Sequence, residues 1–223
     1  IDLAHENGAL FIVDEMITGF KTAFPGSISK FKIQPDMATW GKGIANGFSF
    51  CALTGKKEVM ELGGIRRLGE EKVFLISTTH GGETHAMAAA LATIEEFQKY
   101  DVIKHLHATG NRIIELCTHL ISKHHIENSV TITSSEWMPV FIFKDNNGAA
   151  SAGYRTLFMQ EMIKRGVLFQ GSFVPSFSHS EDDIYYFAKA FDESLIVYKE
   201  ALQNGYQKYL TGEVVKPVFR KIL

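Results

Sequence analysis

The run Ala9-Leu10-Phe11-Ile12-Val13, closed by Asp14-Glu15, constrains this chain more than any other feature. It follows a turn at Asn7-Gly8 and lacks the apolar/polar alternation of a half-exposed strand. A short continuous apolar run of this kind reads as a strand buried on both faces, which is the condition of a parallel sheet covered by helices. An α/β architecture is therefore expected.

The rest of the chain extends that expectation. Residues 1–6 read as the end of a helix, and 16–35, with Gly19, Pro25, Gly26 and Pro35, as a loop with short helical pieces. Met37–Trp40, Phe48–Thr54 and Val73–Ser77 read as further strands, 56–62 as a short helix and Gly63–Lys72 as a charged loop. Met87, Leu91, Ile94 and Phe97 recur at helical spacing over 84–100 and predict a buried stripe. Val102, Leu106, Ile113, Leu116 and Leu120 do the same over 102–124.

Beyond residue 100 the texture changes. Strands are expected at Val130–Ser134, Trp137–Lys144 and Val167–Gln170, and a helix over 152–165. A last long helix starts at Ser180, with Asp183 placed for a capping box. Its buried stripe is Ile184, Phe187, Phe191, Leu195, Tyr198 and Leu202. Two domains are expected: 1–100, part of a parallel-sheet domain, and 101–223, a smaller helix-and-strand sandwich.

With 23 basic and 25 acidic residues the chain has no general electrostatic grip on nucleic acid or an anionic membrane. No apolar run approaches the roughly 20 residues of a membrane span. Two cysteines without a CxxC fit a reducing compartment. The chain opens in mid-helix without an initiating Met, so a cytoplasmic protein lacking its N-terminal part is expected.

Three places could carry chemistry. Asp14 ends a buried strand, and ligands of open parallel sheets gather beyond the carboxyl ends of their strands; its other reading is a cap on the following turn. Strand alternation puts Asp14 and Met16 on one side and Glu15 on the other. Lys42 lies among Gly41, Gly43 and Gly47, where bare backbone admits close approach. The Walker pattern fails around it, because Asp36 stands where its first glycine belongs and Gly43 where its Ser or Thr belongs. A Schiff-base lysine or an exposed turn lysine remains. Thr78-Thr79-His80-Gly81-Gly82 leads into a helix and reads as an anion site or a plain cap. The histidines form no HExxH, no GxSxG is present, and no metal site is expected.

Together an acid for a ring nitrogen, a lysine for an aldehyde and a helix start for a phosphate meet the demands of pyridoxal 5'-phosphate (PLP). Residues 11–21, 35–47 and 79–90 resemble, in order and spacing, the three signatures of class III aminotransferases. Met162–Gly166 and His179–Ile184 are similar to the glutamate-1-semialdehyde aminomutase branch. The resemblance implies a fold-type I architecture entered partway through the large domain, and a homodimer with active sites at its interface. It assigns Lys42 the Schiff base, Asp14 the pyridine nitrogen, Met16 one ring face, and Thr79 the cofactor phosphate of the neighbouring subunit. The implied reaction is amino transfer between a small-molecule amino donor and a carbonyl acceptor, or a net isomerisation when both belong to one molecule. Departures from the family pattern are Met16 for a smaller aliphatic residue, and His80, Glu83 and Thr84 near the phosphate. No arginine stands in Phe169–His179 to grip an α-carboxylate. An inactive fragment lacking half of the pocket is the non-catalytic alternative.

Overall fold

The computed structural model describes residues 1–64, 66, 68–72 and 79–216. The strand expected at Val73–Ser77, and Thr78, lie outside them. The chain divides into two compact units, Ile1–Lys104 and His105–Leu223.

In the first unit, α1 (Asp2–Glu6) turns through Asn7-Gly8 towards β1 (Ile12–Glu15). A loop containing α2 (Ser27–Lys30) leads to β2 (Met37–Trp40), and a 3-10 turn at Lys42–Ile44 precedes β3 (Ala52–Gly55). The short α3 (Lys57–Met60) and the long α4 (Thr84–Lys99) follow. The sheet order is β1-β2-β3. β1 and β2 are parallel, with Asp14 beside Thr39 and Glu15 beside Trp40. β3 runs antiparallel to β2, so the sheet is mixed rather than purely parallel.

β1 also starts later than the apolar run suggests. Leu10 and Ile12 are 52% and 53% exposed, so the strand is not buried on both faces by the described residues. What fixes its entry is Asp36, whose buried carboxylate accepts from the Phe11 amide at 2.7 Å and meets Lys56 Nζ and His5 Nε2 at 2.7 Å each. The Lys56 ammonium, the Phe11 N–H and His5 hold that carboxyl far below the usual range.

Among the described residues, the buried core cluster of this unit is Phe20, Ala38, Trp40, Ile44, Ala45 and Ala90, with Phe24 and Phe97 among the residues packed against it. Phe20 and Phe97 meet edge to face at 5.2 Å. On α4 the buried positions are Ala86 and Ala90, whereas Met87 and Leu91 are exposed. The expected stripe is thus rotated, because the small alanines allow the helix to approach the Lys42–Ile44 turn closely.

α5 (Val102–Lys123) opens before the unit boundary and continues into the second unit. That unit adds the antiparallel pair β4 (Val130–Ile132) and β5 (Phe141–Phe143), then α6 (Ala152–Lys164) and α7 (Glu181–Asn204). Cys117, Phe141, Phe143, Phe158, Phe169, Phe191 and Leu195 are among its buried core residues. Ser180 and Asp183 form the capping box of α7, and all six stripe positions are buried. The segment Val167–Gln170 is not a strand. The Val167 amide bonds back to Met162 O at 3.0 Å and closes α6, and pairing with the β5 strand edge begins only at Gly171, whose carbonyl accepts from Phe141 at 2.9 Å.

Candidate active site

Parallel pairing brings the carboxyl ends of β1 and β2 side by side, with Asp14 on the first and Gly41-Lys42 immediately after the second. Asp14 is exposed while Glu15 is fully buried, the division that strand alternation requires. Asp14 Oδ1 accepts from the Met16 amide at 2.8 Å and from Thr39 Oγ1 at 3.1 Å. The capping role is therefore real, and it orients the carboxylate: no described residue donates to Oδ2. Thr39 is a contributor that sequence reading missed. The register that pairs it with Asp14 is the signal, and register is visible only once the strands are assembled.

Lys42 is exposed and starts the 3-10 turn with φ of 49°. A non-glycine residue in the left-handed region is strained, and such strain often accompanies function. Of the glycines on either side, Gly41 is tightly packed and Gly43 has room for a side chain at ordinary contact distance. A Cβ on Gly41 would collide with the Met16 thioether, its sulfur 2.7 Å away. A Cβ on Gly43 would lie 3.7 Å from Phe20 Cβ and 4.0 Å from the Gly19 carbonyl oxygen. Met16 is thus packed against Gly41, and the next bend of the same loop passes beside Gly43.

That bend carries Lys21. Burial, and then the nearby Lys42 ammonium, lower the Lys21 pKa. Glu15, on the inner side, accepts from Thr18 Oγ1, from Ser27 Oγ at 2.8 Å and from the Ile28 amide at 2.7 Å. Burial alone would raise its carboxyl; these donors outweigh burial and bring it below the ordinary value.

Thr79 is exposed in the turn before α4. It does not cap the helix: the N-cap is Glu83, without a side-chain cap bond. The Glu83 carboxylate instead lies 2.7 Å from His80 Nδ1 and 3.3 Å from His85 Nε2. The His85 ring meets Phe48 at 5.5 Å, so the loop after Lys42 and the start of α4 do approach. No bond among the described residues joins Thr79 to Asp14 or Lys42. Among those residues no cluster of His, Cys, Asp and Glu could hold a metal ion, and no helix is long and apolar enough to cross a membrane.

An exposed amine, an oriented carboxylate with one open oxygen and an apolar thioether share one sheet edge, a donor set that fits PLP. Solved structures of the same fold include the FumI protein of Sphingopyxis sp. MTA144 in its PLP internal aldimine form (22% identical, TM-score 0.75, covering 91% of this chain and 46% of that one). An omega-transaminase from Sphaerobacter thermophilus is similar too (18% identical, TM-score 0.76, covering 89% and 46%). The fold is that of the fold-type I PLP-dependent transferases.

The class-III aminotransferase family model matches residues 1–193, and the chain belongs to that family. Among curated relatives, the 3-aminobutyryl-CoA aminotransferase of Cloacimonas acidaminovorans is 28% identical over 90% of this chain and 47% of its own length. The glutamate-1-semialdehyde 2,1-aminomutase of Halobacterium salinarum is 29% identical over 90% and 50%. The chain spans about half the length of these relatives.

Proposed function

We propose that this chain supplies the catalytic lysine of a PLP-dependent class III aminotransferase. The observation that carries this reading is the placement of Asp14 and Lys42 on neighbouring strand ends, in a chain of that family. Residues 1–100 are read as the C-terminal part of the large domain and 101–223 as the small domain.

When bound, PLP supplies an electron sink and a carrier for the amino group. Lys42 Nζ would be the amine that holds the cofactor's aldehyde. The same Nζ would move the proton at the substrate carbon, as general base and then acid. The Asp14 carboxylate, steadied by Thr39 and the Met16 amide, holds the proton on the ring nitrogen. Met16 covers one ring face. Thr79 donates to the cofactor phosphate of a partner subunit in a homodimer.

The substrates are a small amine and a carbonyl acceptor. The similarity to both an aminotransferase and an aminomutase leaves two products of one chemistry, intermolecular transfer and internal isomerisation. Coverage of only half the relatives' length favours a second reading for the 223-residue chain by itself: weak cofactor binding and no turnover.

Borohydride reduction after incubation with PLP, followed by peptide mass analysis, tests the assignment. The intact protein is expected to carry one pyridoxyl group on Lys42, absent in Lys42→Ala. An unmodified Lys42, or a stoichiometric adduct on Lys21 instead, refutes it.

A further inference from the structure

One buried charged group close to the site has no part in the chemistry above. Glu15 is 0% exposed, yet its neighbour Asp14 already serves the outer side of the strand. A buried carboxylate costs stability unless it is fully paired, and the donors of Glu15 show what it is paired for. They come from Thr18 at one end of a loop and from Ser27 and Ile28 at the other. Gly26 lets the loop close on the carboxylate, since a Cβ there would stand 2.7 Å from the carboxyl carbon.

Between those anchor points the loop folds back on the Lys42 turn. The Phe20 amide bonds Pro25 O at 2.8 Å and the Gly19 amide bonds Glu15 O at 2.9 Å, holding Phe20 at φ of 61°. Its ring is fixed by Phe24 and Phe97. Its Cβ and the Gly19 carbonyl then line the space beside Gly43, at 3.7 Å and 4.0 Å from where a Cβ there would stand, while the Met16 thioether fills the space beside Gly41. The Gly19–Phe20 bend therefore passes beside Gly43, the residue that follows the left-handed backbone of Lys42, while Met16, ahead of the clamped loop, packs against Gly41.

We infer that Glu15 is a positioning residue for Lys42: its buried carboxylate clamps the Thr18–Ile28 loop, and the Gly19–Phe20 bend of that loop sets the direction of the Lys42 amine. This rests on the proposal that Lys42 is the PLP-binding lysine. Lys21, which follows the bend, has its pKa lowered by burial and then by the nearby Lys42 ammonium, in keeping with that placement.

The test measures the rate at which the intact protein forms the Lys42 imine at saturating PLP, followed by its absorbance band, with the site checked by borohydride trapping. Glu15→Ala is expected to slow this rate on the order of tenfold or more, because small misplacements of a reacting group are costly. Glu15→Gln keeps an acceptor for Ser27 and Ile28, and the Thr18 hydroxyl can turn to accept from the new amide. It should stay within about threefold of wild type, a conservative rescue, whereas Ser27→Ala should slow the rate at least about threefold. Thermal unfolding measured alongside identifies the folded variants. A folded Glu15→Ala with the wild-type rate and band overturns the inference. If Glu15→Ala does not fold, Ser27→Ala decides, and an unchanged rate there overturns it. Absence of a Lys42 adduct in wild type sinks instead the assignment of Lys42 itself.

Discussion

Gly110→Ala sets two effects of opposite sign against each other. Gly110 is a buried residue inside α5. Alanine in a helix interior is better than glycine by about 1 kcal/mol, so propensity alone predicts stabilisation. The structure predicts the reverse. A Cβ at this position would run into the Glu136 carbonyl oxygen, with the carbonyl carbon 2.7 Å away and Cα 3.2 Å away. The obstacle is backbone and cannot rotate aside. It belongs to the β4–β5 connection, tied by Thr133 N to Val140 O at 2.9 Å, Val140 N to Thr133 Oγ1 at 3.0 Å and Met138 N to Ser135 O at 3.1 Å. Overpacking costs about 1–3 kcal/mol where side chains can adjust, and the top of that range or more is expected against backbone. After the propensity gain, a net loss of about 2 kcal/mol remains. This corresponds to a fall of roughly 6–12 °C in the unfolding midpoint of a domain this size. Thermal and urea unfolding followed by far-ultraviolet circular dichroism measure it. A variant as stable as wild type, or more so, would refute the reasoning, because it would mean that the connection yields without cost.

Tyr198→Phe tests the second unit from its centre. Tyr198 is fully buried, and its hydroxyl donates to Lys144 O at 2.6 Å and lies 3.2 Å from Ser129 O. Leaving these groups short of a partner should cost about 1–3 kcal/mol in urea unfolding; a change below the error of the titration would contradict it. The pH dependence of the first unit follows from Asp36 and Glu15, whose folded pKa values are both depressed. Between the folded and unfolded values the unfolded chain binds more protons. Their stabilisation is therefore present above the unfolded carboxylate values near ~4 and is lost as pH falls through the depressed folded values. The melting temperature should decline from about pH 4 downward, and Asp36→Asn should flatten that decline while lowering stability at neutral pH. An Asp36→Asn variant whose acid slope matches wild type would show that Asp36 is not the group responsible.

What could be read from the sequence was local. The capping box at Ser180 and Asp183 and the six-residue stripe of α7 are set by hydrogen bonds and spacing within a few turns, and the helix appears where they place it. The resemblance of residues 11–21, 35–47 and 79–90 to family signatures was likewise legible, and the family model matches residues 1–193. Val167–Gln170 has strand-like composition, but the Val167 amide was already committed to Met162. Met87 and Leu91 have the right period, but the alanines beside them set how closely α4 can pack.

The sequence by itself determined which residues were available for chemistry: an acid closing a strand, and a lysine between glycines. Only the tertiary structure decided their division of labour. Strand alternation places Asp14 outside and Glu15 inside, but not the partners each one finds. Asp14 finds Thr39 through parallel register, and Glu15 finds Thr18, Ser27 and Ile28 through loop closure. Gly41 reads in sequence as permissive backbone, whereas in the structure it is the surface on which the Met16 thioether seats. The physical reason is that propensity, periodicity and capping act over a few residues of chain. Register and burial depend on segments that meet only after folding.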